Sequence, residues 1–317
     1  MTENGSRAAL GRVVRRVGGD DVLEALVGLP GSDLTTLQLE LVRRRAGALS
    51  PAAVLERYRR DRFTAPATVP FEALRRVEDV LLAALAARPA PVEVVTPAPL
   101  APLGTHSVLA TVDQNKVVST VRGTDVAADP TNALALEAAV RRQDAQRAAA
   151  SAGVVRLAAI QRVVRAQFVD GPGMFAHFSL CAQVTAGRDV GGLGFERAAL
   201  AEQLAVLTRA LPPLGADRVE VRLTVLDPRF APVAAALTTP ATPGGAVTAV
   251  LDPDRPSGRG YYEGLCFKVM ARLGDGWVEV GDGGFTGWTR ELLSNRKERL
   301  LISGLGLDRL AATAGHA

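Results

Sequence analysis

The fold is decided by the stretch Leu301-Ile302-Ser303-Gly304-Leu305-Gly306-Leu307-Asp308-Arg309-Leu310. Apolar residues alternate with small ones, the pattern of a buried strand whose glycines allow close approach to the backbone. The strand then passes into a short helix carrying Arg309, whose planar guanidinium suits phosphate. Three upstream segments ask for the same partner. The first is a long amphipathic helix over residues 71–87 that runs into a strand over 91–97, a pairing suited to a dimer interface. The second is a strand ending in Arg165-Ala-Gln167, then the turn Phe168-Val-Asp-Gly-Pro-Gly173, then a return strand with His177 and Phe178. Arg165 offers a bidentate phosphate clamp, and Phe178 either stacks on a purine or fills the core. His177, next to that ring, is placed to touch a phosphate. The third is Trp277-Val-Glu279-Val-Gly-Asp282-Gly-Gly284, read as a strand entering a glycine-rich turn. A glutamate in an apolar strand is costly to bury without a cation or a donor. Glu279 is therefore a candidate to hold Mg2+ on nucleotide phosphates, with a solvated strand face as the alternative.

The rest of the chain bounds this reading. Of 317 residues, 48% are hydrophobic and 22% charged, the composition of a soluble globular protein with room for a large core. The net charge of +4 is carried by arginines spread along the chain. That permits a nucleotide or RNA without requiring either. Cys181 and Cys266 lie far apart in apolar settings, which suits buried free thiols in a reducing compartment. No window approaches the roughly 20 apolar residues of a membrane span, and the N-terminus carries no apolar signal core. A cytoplasmic location is expected, with no membrane partner.

Residues 1–63 read as a small helical unit. Val13, Val17, Val22, Leu23, Leu26 and Val27 form an apolar stripe, and a helix over 34–45 buries Leu34, Leu37 and Leu41. Ser50-Pro51 starts a further helix, with serine at the cap and proline in the first turn. Residues 64–70 form a linker, and 71–317 form the main domain. Strands are expected at 91–97, 108–112, 116–121, 156–166, 175–184, 219–226, 267–272, 277–280 and 300–305, with helices at 71–87, 130–150 and 195–210; 241–245 is a loop. Short, closely spaced strands favour an α+β domain, an antiparallel β-sheet flanked by helices.

The order of these segments resembles the catalytic core of class II aminoacyl-tRNA synthetases, over about residues 71–312. Glu93-Val-Val-Thr-Pro97 resembles motif 1, Arg165-Ala-Gln167 with His177-Phe178 resembles motif 2, and Gly304-Leu-Gly-Leu-Asp-Arg309 resembles motif 3. Within the class, the histidyl branch is nearest, a relationship that includes the regulatory paralogue found with ATP phosphoribosyltransferase. Arg122-Gly-Thr124 is similar to its Arg-Pro-Glu-Gly-Thr segment. Tyr261-Tyr262 is similar to its tyrosine pair, and Gly283-Gly284 to the glycines that follow.

The resemblance implies a sheet cradling ATP with Mg2+. Arg165 and Arg309 are then the catalytic pair on the phosphates, and Gln167, His177, Phe178, Glu279, Gly304 and Gly306 complete the nucleotide site. Arg122, Thr124, Tyr261, Tyr262, Gly283 and Gly284 line an amino-acid pocket. It also implies a homodimer formed through the motif-1-like helix and strand.

The chain departs from the pattern in four places, the first being that Arg122 lacks the Pro-Glu pair of the family segment. Gln167 stands where motif 2 has a glutamate, and the histidyl arginine before the tyrosines is shifted or missing in Ser257-Gly-Arg259-Gly. No anticodon-binding domain is read after motif 3, and the helical unit does not resemble one. The expected function is activation of an amino acid or related small carboxylate as an acyl-adenylate for a non-standard acceptor. The alternatives are a catalytically degenerate regulatory or scaffolding paralogue, and a tRNA-charging enzyme that reads only the acceptor stem. The two remaining histidines need no catalytic role: His106 reads as a satisfied polar residue in a turn, and His316 lies in the tail.

Overall fold

A computed structural model describes residues 3–148, 153–167, 175–238, 246–256, 258, 260–274 and 276–314. The expected hairpin turn at 168–173, the loop at 241–245, Arg259 and His316 lie outside the described residues. The N-terminal unit consists of α1 (Glu3–Val17), α2 (Asp20–Val27), α3 (Gly31–Gly47) and α4 (Pro51–Arg60). As expected, Ser50 caps α4, its hydroxyl accepting from the Ala53 amide at 3.2 Å, with Pro51 in the first turn. The apolar stripes do not form the expected core. Leu37, Leu41, Val13, Val17 and Val27 are all exposed, because among the described residues no second layer covers these faces.

The main domain begins with α5 (Phe71–Ala86) and continues through β1 (Glu93–Val94), β2 (Leu100–Pro102), β3 (Thr124–Val126), α6 (Pro130–Arg147), β4 (Val155–Val164) and β5 (His177–Arg188). Then come α7 (Gly194–Ala210), β6 (Ala216–Val225), α8 (Ala231–Thr238), β7 (Val247–Leu251), β8 (Glu263–Leu273), β9 (Gly276–Thr286), α9 (Trp288–Leu292), β10 (Glu298–Gly306) and α10 (Leu307–Ala314). Eight strands form one sheet in the order β1-β4-β5-β10-β9-β8-β6-β7. The six central strands are antiparallel throughout, as expected; β1 and β7 flank them as parallel edge strands.

Period-2 alternation divides the sheet into two buried faces. On one face Leu301, Leu305, Phe267 and Leu223 pack under α5, α7, α8 and α10, which contribute Val77, Leu81, Leu200, Val233 and Leu310. On the other, Leu300, Ile302, Ala182, Cys266 and Tyr262 meet α6 and Trp288 of α9. This second face is only partly covered, and the opening holds the cleft described below. Cys181 and Cys266 are free and buried, as expected, and burial pushes the Cys181 thiol up to about 12.

Three local expectations fail for identifiable reasons. Residues 108–112 are not a strand: Thr105–Leu109 forms a wide helical turn and Thr111 adopts a positive φ of 53°. Residues 116–121 are not a strand either. A single 3-10 turn, Gln114–Lys116, is capped there by the Asp113 carboxylate, which competes with the ladder. The glycines after Glu279 do not make a turn, since β9 runs through them to Thr286. A Cβ on Gly283 would lie 2.5 Å from the Phe267 ring, and one on Gly284 2.6 Å from the Tyr262 ring. These glycines let two rings of β8 and its approach lie flat on β9.

One ion pair closes the far end of the sheet. Arg142 of α6 and Glu298 of β10 are both fully buried; the guanidinium bonds both carboxylate oxygens and the Gly153 carbonyl, and Gln146 completes the set. Removing one partner strands the other charge in the core. Glu298→Ala is therefore expected to cost about 3–5 kcal/mol in urea denaturation, and the paired replacement Arg142→Met/Glu298→Leu much less.

Candidate functional site

A cleft opens on the α6 side of the sheet, as two adjoining lobes of about 240 and 560 Å³. Asp129, Arg165, Gln167, Tyr261, Tyr262 and Asp282 line both. The first lobe lies over β5, β9 and β10. Its floor is Leu180, Ala182, Ile302, Gly304 and Gly306, and its rim carries Arg165, Phe178, Glu279 and Arg309. The second lobe runs under the 105–116 segment and includes His106, Lys116, Asn132 and Arg255.

The two pairs of glycines in this region do different things. A Cβ on Gly304 would meet only the Cys181 carbonyl at 3.6 Å, and one on Gly306 only the Val280 carbonyl at 3.8 Å. Packing does not require glycine at either place; both keep the floor of the first lobe low. Gly283 and Gly284 face the rings of Phe267 and Tyr262 instead and lie outside both lobes.

Arg165 is held by three groups. Its Nε donates to the Ala128 carbonyl at 3.1 Å, its Nη2 to Asp129 Oδ2 at 3.2 Å, and its guanidinium sits 5.1 Å from the Phe178 ring centroid. The other Asp129 oxygen caps α6, accepting from the Thr131 amide and hydroxyl. Arg309 donates from Nη1 to the Glu279 carbonyl. Its helix is fixed by buried Asp308, which accepts from the Ser179 amide at 2.6 Å and from Arg162 at 3.1 Å. The β8–β9 register shifts between Val269 and Met270, so that Val280 is skipped and Glu279 shares the cleft face with Asp282. The Glu279 carboxylate is paired with Lys268 at 2.8 Å.

The second lobe is built around the tyrosine pair. Tyr261 packs edge-on against Tyr262 and Trp288. Buried Arg255 lies over the Tyr262 ring and donates to Asp282 Oδ2 at 3.1 Å. Burial, with Asp129 and Glu279 nearby, holds the Asp282 carboxyl above the ordinary carboxylate range despite Arg255. The Ala128 amide donates to His106 Nε2 at 3.2 Å, so Nδ1 carries the proton and donates to Asn132 Oδ1 at 2.7 Å. His106 is thus a satisfied buried residue, as read from the sequence.

The structure therefore gathers Arg165, Gln167, Phe178, Glu279, Gly304, Gly306, Arg309, Tyr261 and Tyr262 around one cleft. His177 lies outside it, its ring bridging Arg162 and the Ala65 carbonyl. Arg122 and Thr124 are also outside; Thr124 bonds Thr120 within a small β2–β3 ribbon. Downstream of them, Asp129 and Thr131 line the first lobe and share the acid-x-threonine spacing of the segment expected at Arg122–Thr124. Sequence reading also missed Arg255, which directly follows Asp252-Pro-Asp254, and Asp282.

The fold is shared with solved structures of low sequence identity. A Bacillus halodurans protein described as an ATP phosphoribosyltransferase regulatory subunit/histidyl-tRNA synthetase is 16% identical, with a TM-score of 0.52 over 80% of this chain and 82% of that one. A histidine–tRNA ligase subunit from Alicyclobacillus acidocaldarius is 13% identical, with a TM-score of 0.59 over 80% and 96%. Apo histidyl-tRNA synthetase from S. aureus is 12% identical, with a TM-score of 0.54 over 79% and 72%. No protein-family model and no curated protein matches the chain. These likenesses establish the class II synthetase-like fold, with a large sheet flanked by helices.

Two measurements test this account of the cleft. Gly284→Ala is expected to lose about 1–3 kcal/mol through overpacking, whereas Gly304→Ala leaves stability near wild type. Burial holds the phenols of Tyr261 and Tyr262 well above the ordinary tyrosine value. The folded state thus keeps both protons more tightly than the unfolded chain. That contribution to stability is complete below about pH 10 and is lost as pH rises beyond it. A Tyr58→Phe variant should show no tyrosinate absorbance under alkali until the protein unfolds.

Proposed function

We propose that the cleft binds ATP in its first lobe and a small amino-acid-like carboxylate in its second, and activates that carboxylate as an acyl-adenylate. The observation that carries this reading is the convergence of Arg165, Phe178 and Arg309 over a floor that Gly304 and Gly306 keep bare for no packing reason. Phe178 offers a face to adenine, and the two guanidiniums bracket the phosphates. In the second lobe, Arg255 suits a carboxylate, while Asp129 and Asp282 suit an ammonium. The chemistry then needs no protein nucleophile. In-line attack of the carboxylate on the α-phosphorus forms the acyl–phosphate bond and expels pyrophosphate, helped by positioning and charge neutralisation.

Mg2+ on a nucleotide needs one or two carboxylates beside phosphate oxygens and not a protein cage; on the cleft face Glu279, here paired with Lys268, and Asp282 are the carboxylates that would supply them. In this reading Mg2+ arrives on the nucleotide, and no step runs through a protein-bound metal.

A regulatory paralogue that binds ligand without chemistry is the second reading. It is favoured by the pairing of Arg165, Arg255 and Lys268 with Asp129, Asp282 and Glu279, which leaves the cleft near charge balance, and by Gln167. Dimerisation through α5 and β1 and a cytoplasmic location belong to both readings. Titration calorimetry is expected to show ATP–Mg2+ binding by wild type and its loss in Arg165→Ala and Arg309→Ala. No binding by wild type overturns both the ATP site and the ligase. Amino-acid-dependent ATP–pyrophosphate exchange then separates the readings: exchange with any amino acid supports the enzyme, and binding without exchange supports the regulator.

A further inference from the structure

The turn that follows the N-terminal helical unit crosses the mouth of the β4–β5 hairpin. The Asp61 carbonyl accepts from the Thr64 and Ala65 amides and its carboxylate from the Phe63 amide, which makes residues 61–65 a closed turn. From this turn Arg62 sends Nη2 to the Ala166 carbonyl at 2.7 Å and Nη1 to the Gln167 carbonyl at 2.9 Å. On the other arm of the hairpin, His177 Nε2 bonds the Ala65 carbonyl at 2.6 Å. Its Nδ1 accepts from Arg162, so Nε2 is the donor. Ala166 and Gln167 directly follow Arg165, and His177 directly precedes Phe178. The turn therefore grips both strands of the hairpin at the level of the two side chains that frame the first lobe.

The grip is specific in geometry. A guanidinium can reach two successive carbonyls with two parallel N–H groups, which a lysine ammonium cannot reproduce. Both backbone groups of Ala166 are engaged, since its amide donates to the Lys116 carbonyl at 2.9 Å. Arg62 is itself half-buried against Phe63, with its guanidinium 4.3 Å from the ring centroid.

We infer that Arg62 is a positioning residue of the nucleotide site: through the Ala166 and Gln167 carbonyls it sets the path of the hairpin that presents Arg165, Gln167 and Phe178. The helical unit is then coupled to the cleft, because its last turn is part of the frame of the first lobe. This inference rests on the nucleotide reading of that lobe.

The test compares the full-length wild type, Arg62→Ala and Arg62→Lys by two readouts, ATP–Mg2+ affinity from calorimetry and amide exchange across residues 164–167 and 176–179. Loss of two hydrogen bonds from a charged donor is expected to weaken ATP binding by about tenfold or more. Hairpin exchange should quicken while exchange in α7 and β8 stays unchanged, and Arg62→Lys should recover only part of both effects. Wild-type ATP affinity in Arg62→Ala overturns the inference, whatever the exchange shows. Equal loss with both substitutions, accompanied by faster exchange throughout the molecule, overturns it in favour of a merely structural role. If wild type does not bind ATP yet Arg62→Ala loosens only the hairpin, the nucleotide reading falls while the mechanical coupling stands.

Discussion

The cleft depends on a single carboxylate. Asp129 ends the extended run after β3 and starts α6, and its two oxygens serve different masters. One satisfies an amide that the first turn of a helix leaves without an intrahelical partner, aided by the Thr131 hydroxyl. The other holds Arg165. The same corner supplies the Ala128 carbonyl to Arg165 and the Ala128 amide to His106. A helix cap is stiff because the backbone that it satisfies cannot turn away, so Arg165 inherits the rigidity of α6. The guanidinium thereby meets a ligand already oriented, with little rotamer freedom left to lose.

The other walls are rigid for related reasons. Arg309 stands at the start of α10, which is pinned to β5 through buried Asp308 and the Ser179 amide. Arg255 is fixed between the Tyr262 ring and Asp282. Each of these arginines is thus tied to regular structure through an acid or a carbonyl. Because Arg165 and Arg255 are tied to carboxylates, a polyphosphate that displaces either tie exposes a like charge. The cleft accordingly discriminates by shape and by exchange of partners more than by net potential.

The parts of this arrangement that were legible in the sequence share a property: their local pattern and their tertiary role coincide. The Leu301–Leu305 alternation matches two buried faces, so strand, glycines and following helix could all be read. The hairpin with Arg165 and Phe178 and the amphipathic α5 were legible for the same reason. Residues 105–129 were not. Thr111 takes a positive φ, Thr105–Leu109 forms a wide turn, and the Asp113 carboxylate caps the amide two residues on, so Val112 and Val117 stay outside any sheet. The glycines of β9 misled in the opposite way. Their signal is that of a turn, yet their cause is the bulk of Phe267 and Tyr262 in the neighbouring strand and its approach. Glu279 and Asp282 share a face only because the register shift at Val280 breaks the period of two, and no residue pattern announces that shift.

The exposed apolar faces of α1–α4 sharpen what the turn at residues 61–65 does. A helix packed into a core is held by burial of its apolar stripe, about 1.5–3 kcal/mol for each large side chain. Helices α2, α3 and α4 bury none of their residues, so that term is small for them. The polar contacts of Arg62 and Ala65 with the hairpin therefore carry an unusually large share of what fixes the end of the unit relative to the cleft. A connection made of a few directional hydrogen bonds responds sharply to a change in angle, whereas a broad apolar interface yields gradually. The seam between the helical unit and the hairpin is accordingly the place where a small displacement on one side alters the geometry of the other most directly.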